Sequence, residues 1–241
     1  MSKLNKNSNF YILGYAVMLT IVLGTLLPTV AGALKSKIVS NKEFEKKKFI
    51  LTAGLGHDKL ATMTDEEINL LYDNNVESTV INVEGQNMDR TADAVIVAKE
   101  YKLAKDQRSL PVYIISSEKE KSYVFPMHGY GLWDEIWGYV ALEKDGQTIK
   151  AVVFDHKGET PGLGARISSE EIQKRFSGKS IFDESNNLVS VAMQKGEGND
   201  YATKENQVDG MSGATITGVG LNNMLIEYFT LYKNFITSIG Q

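Results

Sequence analysis

From Phe10 to Leu34 the chain carries no charged residue. A helix of that length rises roughly 37 Å, more than the ~30 Å hydrocarbon layer of a bilayer. The pattern predicts one membrane-crossing helix at 10–34 behind a polar tail at 1–9, with Phe10, Tyr11 and Tyr15 near one interface. Lys3 and Lys6 ahead of the run and Ala31-Gly32-Ala33 at its end also suit a cleaved signal peptide, although the run exceeds the ~7 to 15 residues of a signal core. Both readings send the chain to a membrane.

Past the span the periodicities shorten. Asn41–Leu51 reads as helix within a juxtamembrane stalk at 35–63. Thr64 with Glu67 three residues on forms a capping box for a short helix reaching Tyr72. Val76–Val83 and Leu110–Ile115 are β-branched runs that predict strands. Gly138–Glu143 and Thr148–Phe154 flank Asp145-Gly146 and predict a hairpin with an exposed tip. Ser168 with Glu171 signals a second short helix through Phe176, and Leu188–Met193 a further strand. Finally, Leu221, Met224, Leu225, Tyr228, Leu231, Tyr232 and Phe235 recur at spacings of three and four, an amphipathic helix from Thr217 to Ser238. The sum is an α+β fold: a single N-terminal transmembrane helix, then one domain at 64–241 with an antiparallel-rich sheet and flanking helices.

Composition narrows the chemistry. The formal net charge of −4 argues against a nucleic-acid partner. With no Cys there are no disulfides, thiolate ligands or cysteine nucleophiles, and His57, His128 and His156 lack metal-ligand spacing. Charge leaves the membrane orientation open: Lys35, Lys37, Lys42, Lys46, Lys47 and Lys48 follow the span, so lysine counting favours an external N-terminus, against the signal-like layout of Lys3 and Lys6.

The most informative segment is Asp209-Gly-Met-Ser212-Gly213-Ala214-Thr215, at the mouth of the C-terminal helix. Ser212 and Thr215 are both N-cap candidates, and the glycines permit positive φ. A phosphate at this point would meet unpaired N–H groups and the positive end of the helix dipole. Spacing alone does not decide between cap and phosphate site. No Gly-Lys-Ser/Thr closes the loop as in a Walker A motif, and the Gly129-x-Gly131 and Gly162-x-Gly164 pairs lack the third Gly of a dinucleotide fingerprint.

Two loops flank the hairpin: Gly129–Gly138, carrying Trp133 and Trp137, and Glu159-Thr160-Pro161-Gly162-Leu163-Gly164. A hairpin brings its outer ends together, so both loops could line one end of the sheet and receive a flat ring. Trp133 lies nearer the glycine-rich turn than Trp137, and Glu159, Thr160 or loop N–H groups could meet the ring's polar edge. Each piece also has a plain reading, Trp as core anchor and Thr-Pro-Gly as turn.

Taken together, Gly131-Leu-Trp133, Glu159–Gly164 and Asp209-x-x-Ser212-Gly-Ala-Thr215 behind one apolar helix resemble the C subunit of the Na⁺-translocating NADH:quinone reductase. The resemblance spans nearly the whole chain, with a motif core at 129–217. It implies FMN joined to Thr215 by a phosphoester, put there by a separate flavin transferase that reads Asp209, Ser212, Gly213 and Ala214. Trp133, Glu159, Thr160, Gly162, Leu163 and Gly164 would then line the flavin. It further implies a multisubunit inner-membrane complex, a folded domain on the periplasmic face, and electrons passing from NADH-derived carriers toward quinone, with no substrate site or metal of the chain's own. The sister family, the G subunit of the Rnf complex, shares the flavin domain; Gly138-Tyr139 and Ile181–Glu184 favour the reductase. Readings from other classes are a cofactor-free anchored scaffold domain and a hydrolase using a Ser or Glu159, the latter without a G-x-S-x-G elbow.

Overall fold

The structure, a computed structural model, describes residues 8–116 and 121–239. Most of the expected tail at 1–9 therefore lies outside the described residues. Chain contacts divide the molecule into two units, Met1–Lys46 and Lys47–Gln241.

The first unit contains most of helix α1 (Asn9–Leu55), whose apolar stretch is long and apolar enough to cross a membrane and has no protein cover. Polar side chains in this stretch satisfy themselves locally: Thr20 and Thr25 hydroxyls donate to the Ala16 and Ile21 carbonyls at 2.9 and 2.8 Å. That is how such groups are tolerated in hydrocarbon. The expected span at 10–34 falls inside α1.

In the second unit, five strands form one antiparallel sheet in sequence order: β1 (Val76–Ile81), β2 (Leu110–Ser116), β3 (Lys121–Tyr130), β4 (Glu135–Glu143) and β5 (Ile149–His156). Alternation sorts the side chains onto two faces. Phe125, Met127, Ile136, Val140, Val152 and Phe154 face the long helix α6 (Thr215–Ile239), whose Leu221, Leu225, Tyr228 and Tyr232 complete the main core. The opposite face carries Tyr113, Val124, Ala141 and Ala151, all buried. The last turns of α1 belong to this unit and pack through buried Ile50, Leu51 and Ala53; Ser122 Oγ donates to the Gly54 carbonyl at 2.8 Å, and Phe49 meets the Tyr139 ring. The compact unit thus begins at Lys47, inside the stretch expected as stalk.

Helix α2 (His57–Leu60) precedes α3 (Asp65–Asn75), which has the expected capping box: Glu67 N–H donates to Thr64 Oγ1 at 3.3 Å, and Thr64 N–H donates to Glu67 Oε2 at 2.8 Å. Helix α4 (Val97–Glu100) lies in the long β1–β2 connection. The hairpin at Asp145-Gly146 also forms, closed by Gly146 at φ 67° and by Asp145 Oδ1 accepting from the Gln147 and Thr148 amides.

Two local expectations are corrected. Ser168 makes no capping box with Glu171, because it ends a 3-10 turn (Gly164–Ser168) and donates back to the Ala165 carbonyl; α5 (Glu170–Lys174) starts after Ser169 instead. The strand expected at Leu188–Met193 is broken by Ser190 at φ 65°, a left-handed conformation outside the extended range of a regular strand. Only β6 (Ala192–Met193) remains, paired in parallel with β7 (Gln207–Val208). Asn222 of α6 ties down this short pair by exchanging two 2.8 Å hydrogen bonds with the Met193 backbone.

His128 on β3 is 3% exposed and neither ring nitrogen has a hydrogen-bond partner among the described residues. The rings of Tyr101 and Tyr130 pack on it, and the Glu135 carboxylate is 3.8 Å away. Burial, aided by Lys102 and Arg108, outweighs Glu135 and holds its pKa below the ordinary value. The folded state therefore resists a proton that the unfolded chain accepts below about pH 6.5. Protons bound by the unfolded state alone make stability fall with acidification. Urea unfolding at pH 7.5 and 5.5 should show this loss, and His128→Phe should reduce the difference between the two pH values; an unchanged difference would refute the assignment.

Candidate functional site

The site is built where three distant segments meet: the β3–β4 turn, the loop after β5 and the first turn of α6. Glu159 joins them. Its carboxylate is 4% exposed, with Oε1 accepting from Trp133 N–H at 2.9 Å and Oε2 from Thr217 Oγ1–H at 2.6 Å. Burial disfavours its charge, yet the Thr217 hydroxyl and the Trp133, Asp134 and Leu132 amides outweigh that and hold its carboxyl below the ordinary value. A Cβ on Gly131 would lie 2.5 Å from Oε1, and one on Gly164 would overlap both Oε2 and Thr217 Oγ1. Those two glycines are required by the carboxylate between them, and Glu159 is thereby committed to internal partners.

Around this joint the remaining residues of the loop take separate tasks. Thr160 is exposed, and its carbonyl accepts from the Leu163 and Ala165 amides at 3.1 and 3.2 Å. Gly162 turns the chain at φ 78°. Leu163 reaches the turn ahead of α6, since a Cβ on Gly213 would meet its Cδ2 at 2.8 Å. Trp133 stands 69% exposed at the β3–β4 turn, closed by Gly131 N–H to the Asp134 carbonyl at 3.0 Å. Trp137 instead lies within β4, opposite His128 and Asp155, and is half-buried.

The Asp209–Thr215 segment acquires a reason at each position. Gly210 packs so closely on the Gln194 and Gly196 carbonyls that no Cβ fits. Met211 and Ala214 are buried, and Ala214 N–H donates to the Met211 carbonyl, closing a turn in which Gly213 adopts φ 74°. Neither N-cap candidate caps the helix. The first helical bond runs from Gly218 N–H to the Ala214 carbonyl, so Ala214 holds the cap position and Thr215 is the first residue of α6. Ser212 and Thr215 are exposed. Among the described residues the Thr215 hydroxyl has no partner, and the amides of Thr215, Ile216 and Thr217 precede the first i to i−4 bond of the helix.

Sequence reasoning missed the support beneath this turn. Asp209 engages the Gly198 loop: its carboxylate accepts from Gly198 N–H at 2.7 Å and from the Asn199 amide and side chain at 3.3 Å. In return Glu197 Oε2 accepts from Ser212 N–H at 3.0 Å, while Arg166 grips both Glu197 oxygens at 2.9 and 2.5 Å. Arg175 bridges the two segments, donating to Glu197 at 3.2 Å and to the Gly210 carbonyl at 2.6 Å. Arg166 first, then the Ser212 amide, holds the Glu197 carboxyl well below its usual range. Only the Gly196–Gly198 pair in the sequence hinted that this loop was shaped.

Residues 131–229 match the FMN-binding domain family. Over 248 aligned residues the chain is 31% identical to the C subunit of the Na(+)-translocating NADH-quinone reductase of Haemophilus ducreyi, covering 95% of this chain and 93% of that one. Its counterpart in Pseudomonas aeruginosa is 28% identical over 95% of this chain and 94% of its own. Among solved structures, the C subunit from Parabacteroides distasonis superposes with a TM-score of 0.73 at 32% identity, covering 85% of this chain and 97% of that one. Shewanella oneidensis NqrC gives 0.68 at 26% identity, with 83% and 98% covered. Similarity over nearly the full length of both partners, on a shared fold, makes the chain a member of the family of Na(+)-translocating NADH-quinone reductase C subunits.

Proposed function

We propose that the chain is the membrane-anchored, flavin-carrying C subunit of a Na⁺-translocating NADH:quinone reductase, with FMN held covalently by Thr215. The observation that carries this reading is an exposed Thr215 hydroxyl, without a partner among the described residues, on the first turn of a 25-residue helix and beside amides free of intrahelical bonds. A phosphate ester of that hydroxyl would be met by N–H donors and the positive end of the helix dipole. The surroundings fit the rest of the group: Leu163, Trp133 and Leu132 expose apolar surface on the segments that Glu159 ties to α6. FMN supplies the capacity to accept and pass on electrons. The chain's own residues fix its place and shape the surface around it.

Loading is a group transfer from a flavin pyrophosphate on a separate flavin transferase. The Thr215 Oγ–P bond forms, the pyrophosphate P–O bond breaks, the nucleotide half leaves as its monophosphate, and the hydroxyl proton passes to a base of the transferase. The product carries FMN less one water. Within the complex the protein relays electrons on the path from NADH to quinone, its folded domain on the periplasmic side of the inner membrane. Residues 10–34 hold no ionisable group of the Asp, Glu, Lys, Arg or His kind, so the ion path belongs to partner subunits.

The test is intact-mass spectrometry of chain produced with its native transferase, joined to in-gel flavin fluorescence after denaturation. A mass increase of one FMN less one water, with fluorescence surviving denaturation, is expected. Unmodified chain would overturn the reading.

A further inference from the structure

We infer that Glu197, which lies outside the Asp209–Thr215 motif, is a positioning residue for flavin loading: it holds the acceptor turn in the one conformation that the transferase accepts. This rests on the reading of Thr215 as the attachment point.

The acceptor hydroxyl stands three residues after the amide that Glu197 fixes. Between them the chain has one left-handed glycine, and a single backbone bond, Ala214 N–H to the Met211 carbonyl, closes the turn. Upstream, Arg175 fixes the turn through the Gly210 carbonyl and, at 3.3 Å, the Asp209 carbonyl. Glu197 fixes it through Ser212 N–H, and Asp209 returns the grip by accepting from Gly198 and Asn199. Two carboxylates on two loops thus each bind the other loop's backbone, and Arg166 and Arg175 lock the Glu197 end. These are charge-assisted hydrogen bonds, roughly twice as strong as neutral ones.

No member of this network touches Thr215, so its effect on loading must act through the turn. In-line attack on phosphorus requires the hydroxyl to be held near its reacting position, and displacement by about 1 Å can cost on the order of 100-fold in rate. Without the Glu197 carboxylate, Ser212 N–H loses its acceptor, and among the described residues the downstream half of the turn keeps a backbone hydrogen bond at Ala214 alone. The motif then serves two ends: Ser212 to Thr215 present the hydroxyl, and Asp209 orders the loop that orders them.

The experiment compares wild type, Glu197→Ala, Glu197→Gln and Glu171→Ala as full chains in detergent, loaded by the purified transferase with a flavin dinucleotide as donor. Glu171→Ala is the control, since exposed Glu171 meets the same two arginines, Arg175 at 2.6 Å and Arg166 at 3.7 Å, without touching the turn. For Glu197→Ala, kcat/KM for the carrier is expected to fall about tenfold or more, at a temperature where the chain remains folded, with faster exchange of the Ser212 amide. Glu197→Gln, whose carbonyl oxygen can still accept from Ser212, should recover much of the rate, and Glu171→Ala should load as wild type. Wild-type loading of Glu197→Ala would overturn the inference while leaving Thr215 as the site. So would a deficit no larger than its unfolded fraction, or an equal deficit in Glu171→Ala. Wild type that takes no flavin would overturn both.

Discussion

Thr215→Ala is expected to abolish covalent flavin completely while leaving the melting temperature within about 1–2 °C of wild type, and Thr217→Ala to do the reverse. The two residues share the first turn of α6 and are chemically identical, but the fold gives them opposite situations. Thr215 is exposed, and its hydroxyl has no partner among the described residues, so its removal costs no buried interaction. Exposed substitutions free of such features stay within about 0.5 kcal/mol, and the cap position is Ala214, so no cap is lost. Thr217 is 1% exposed and donates to the buried Glu159 carboxylate. Losing a hydrogen bond to a charged acceptor costs roughly 1.5–3 kcal/mol, and in a domain of this size each kcal/mol is about 2–4 °C. Thr217→Ala should therefore melt roughly 3–12 °C lower and still carry flavin of full mass. Intact mass and a thermal melt on each variant decide it; flavin retained on Thr215→Ala would place the attachment elsewhere.

The contrast shows what was legible in the sequence. Local signals came through: the α3 capping box, the Asp145-Gly146 hairpin and the apolar stripe of α6 are each decided within a few residues of themselves. The whole length of β3 was hidden because it is buried on both faces, so Tyr123–His128 shows no alternation. Pro126 within it also reads as a breaker. The structure resolves that conflict: the β2 register ends at Tyr113↔Val124, and the Pro126 carbonyl turns to the Tyr232 hydroxyl of α6. Its missing N–H therefore lies past the end of the β2–β3 ladder, where there is no ladder bond to lose.

At the site, residue types were legible and roles were not. Thr215, Ser212 and the two loops stood out as motifs, yet neither N-cap candidate caps the helix, because a buried Ala214 takes that position. Glu159 suggested a polar group for a ring edge, while the joint it makes between the Trp133 amide and the Thr217 hydroxyl had no sequence signal. Glu197, Arg166 and Arg175 gave no signal, because charged residues 22 and 31 positions apart acquire meaning only when folding brings them together.

Glu159→Ala is expected to be the most damaging single change at the site, lowering stability by about 3 kcal/mol and the melting temperature by roughly 6–12 °C. Removal of the carboxylate strands Trp133 N–H and the Thr217 hydroxyl together, and leaves a hole between Gly131 and Gly164, which have no side chains to fill it. Glu159→Gln should cost much less. Its carbonyl oxygen can take the Trp133 amide, while its NH₂ donates to a Thr217 hydroxyl that rotates to accept. The wild-type contribution also has a pH signature: the folded carboxyl lies below its ordinary value, so its stabilisation is present above about pH 4.3 and is lost as pH falls through the folded value. Glu159→Ala should lack that portion of the acid dependence. The proposed FMN ester at Thr215 does not involve the Glu159 carboxylate, so variant loaded by the transferase should gain the same mass as wild type, while its Trp133 turn, released from the helix, becomes more accessible to an added quencher. A melt within about 2 °C of wild type would mean that Glu159 does not join the three segments, and the ring-facing role expected from the sequence would return as the better account.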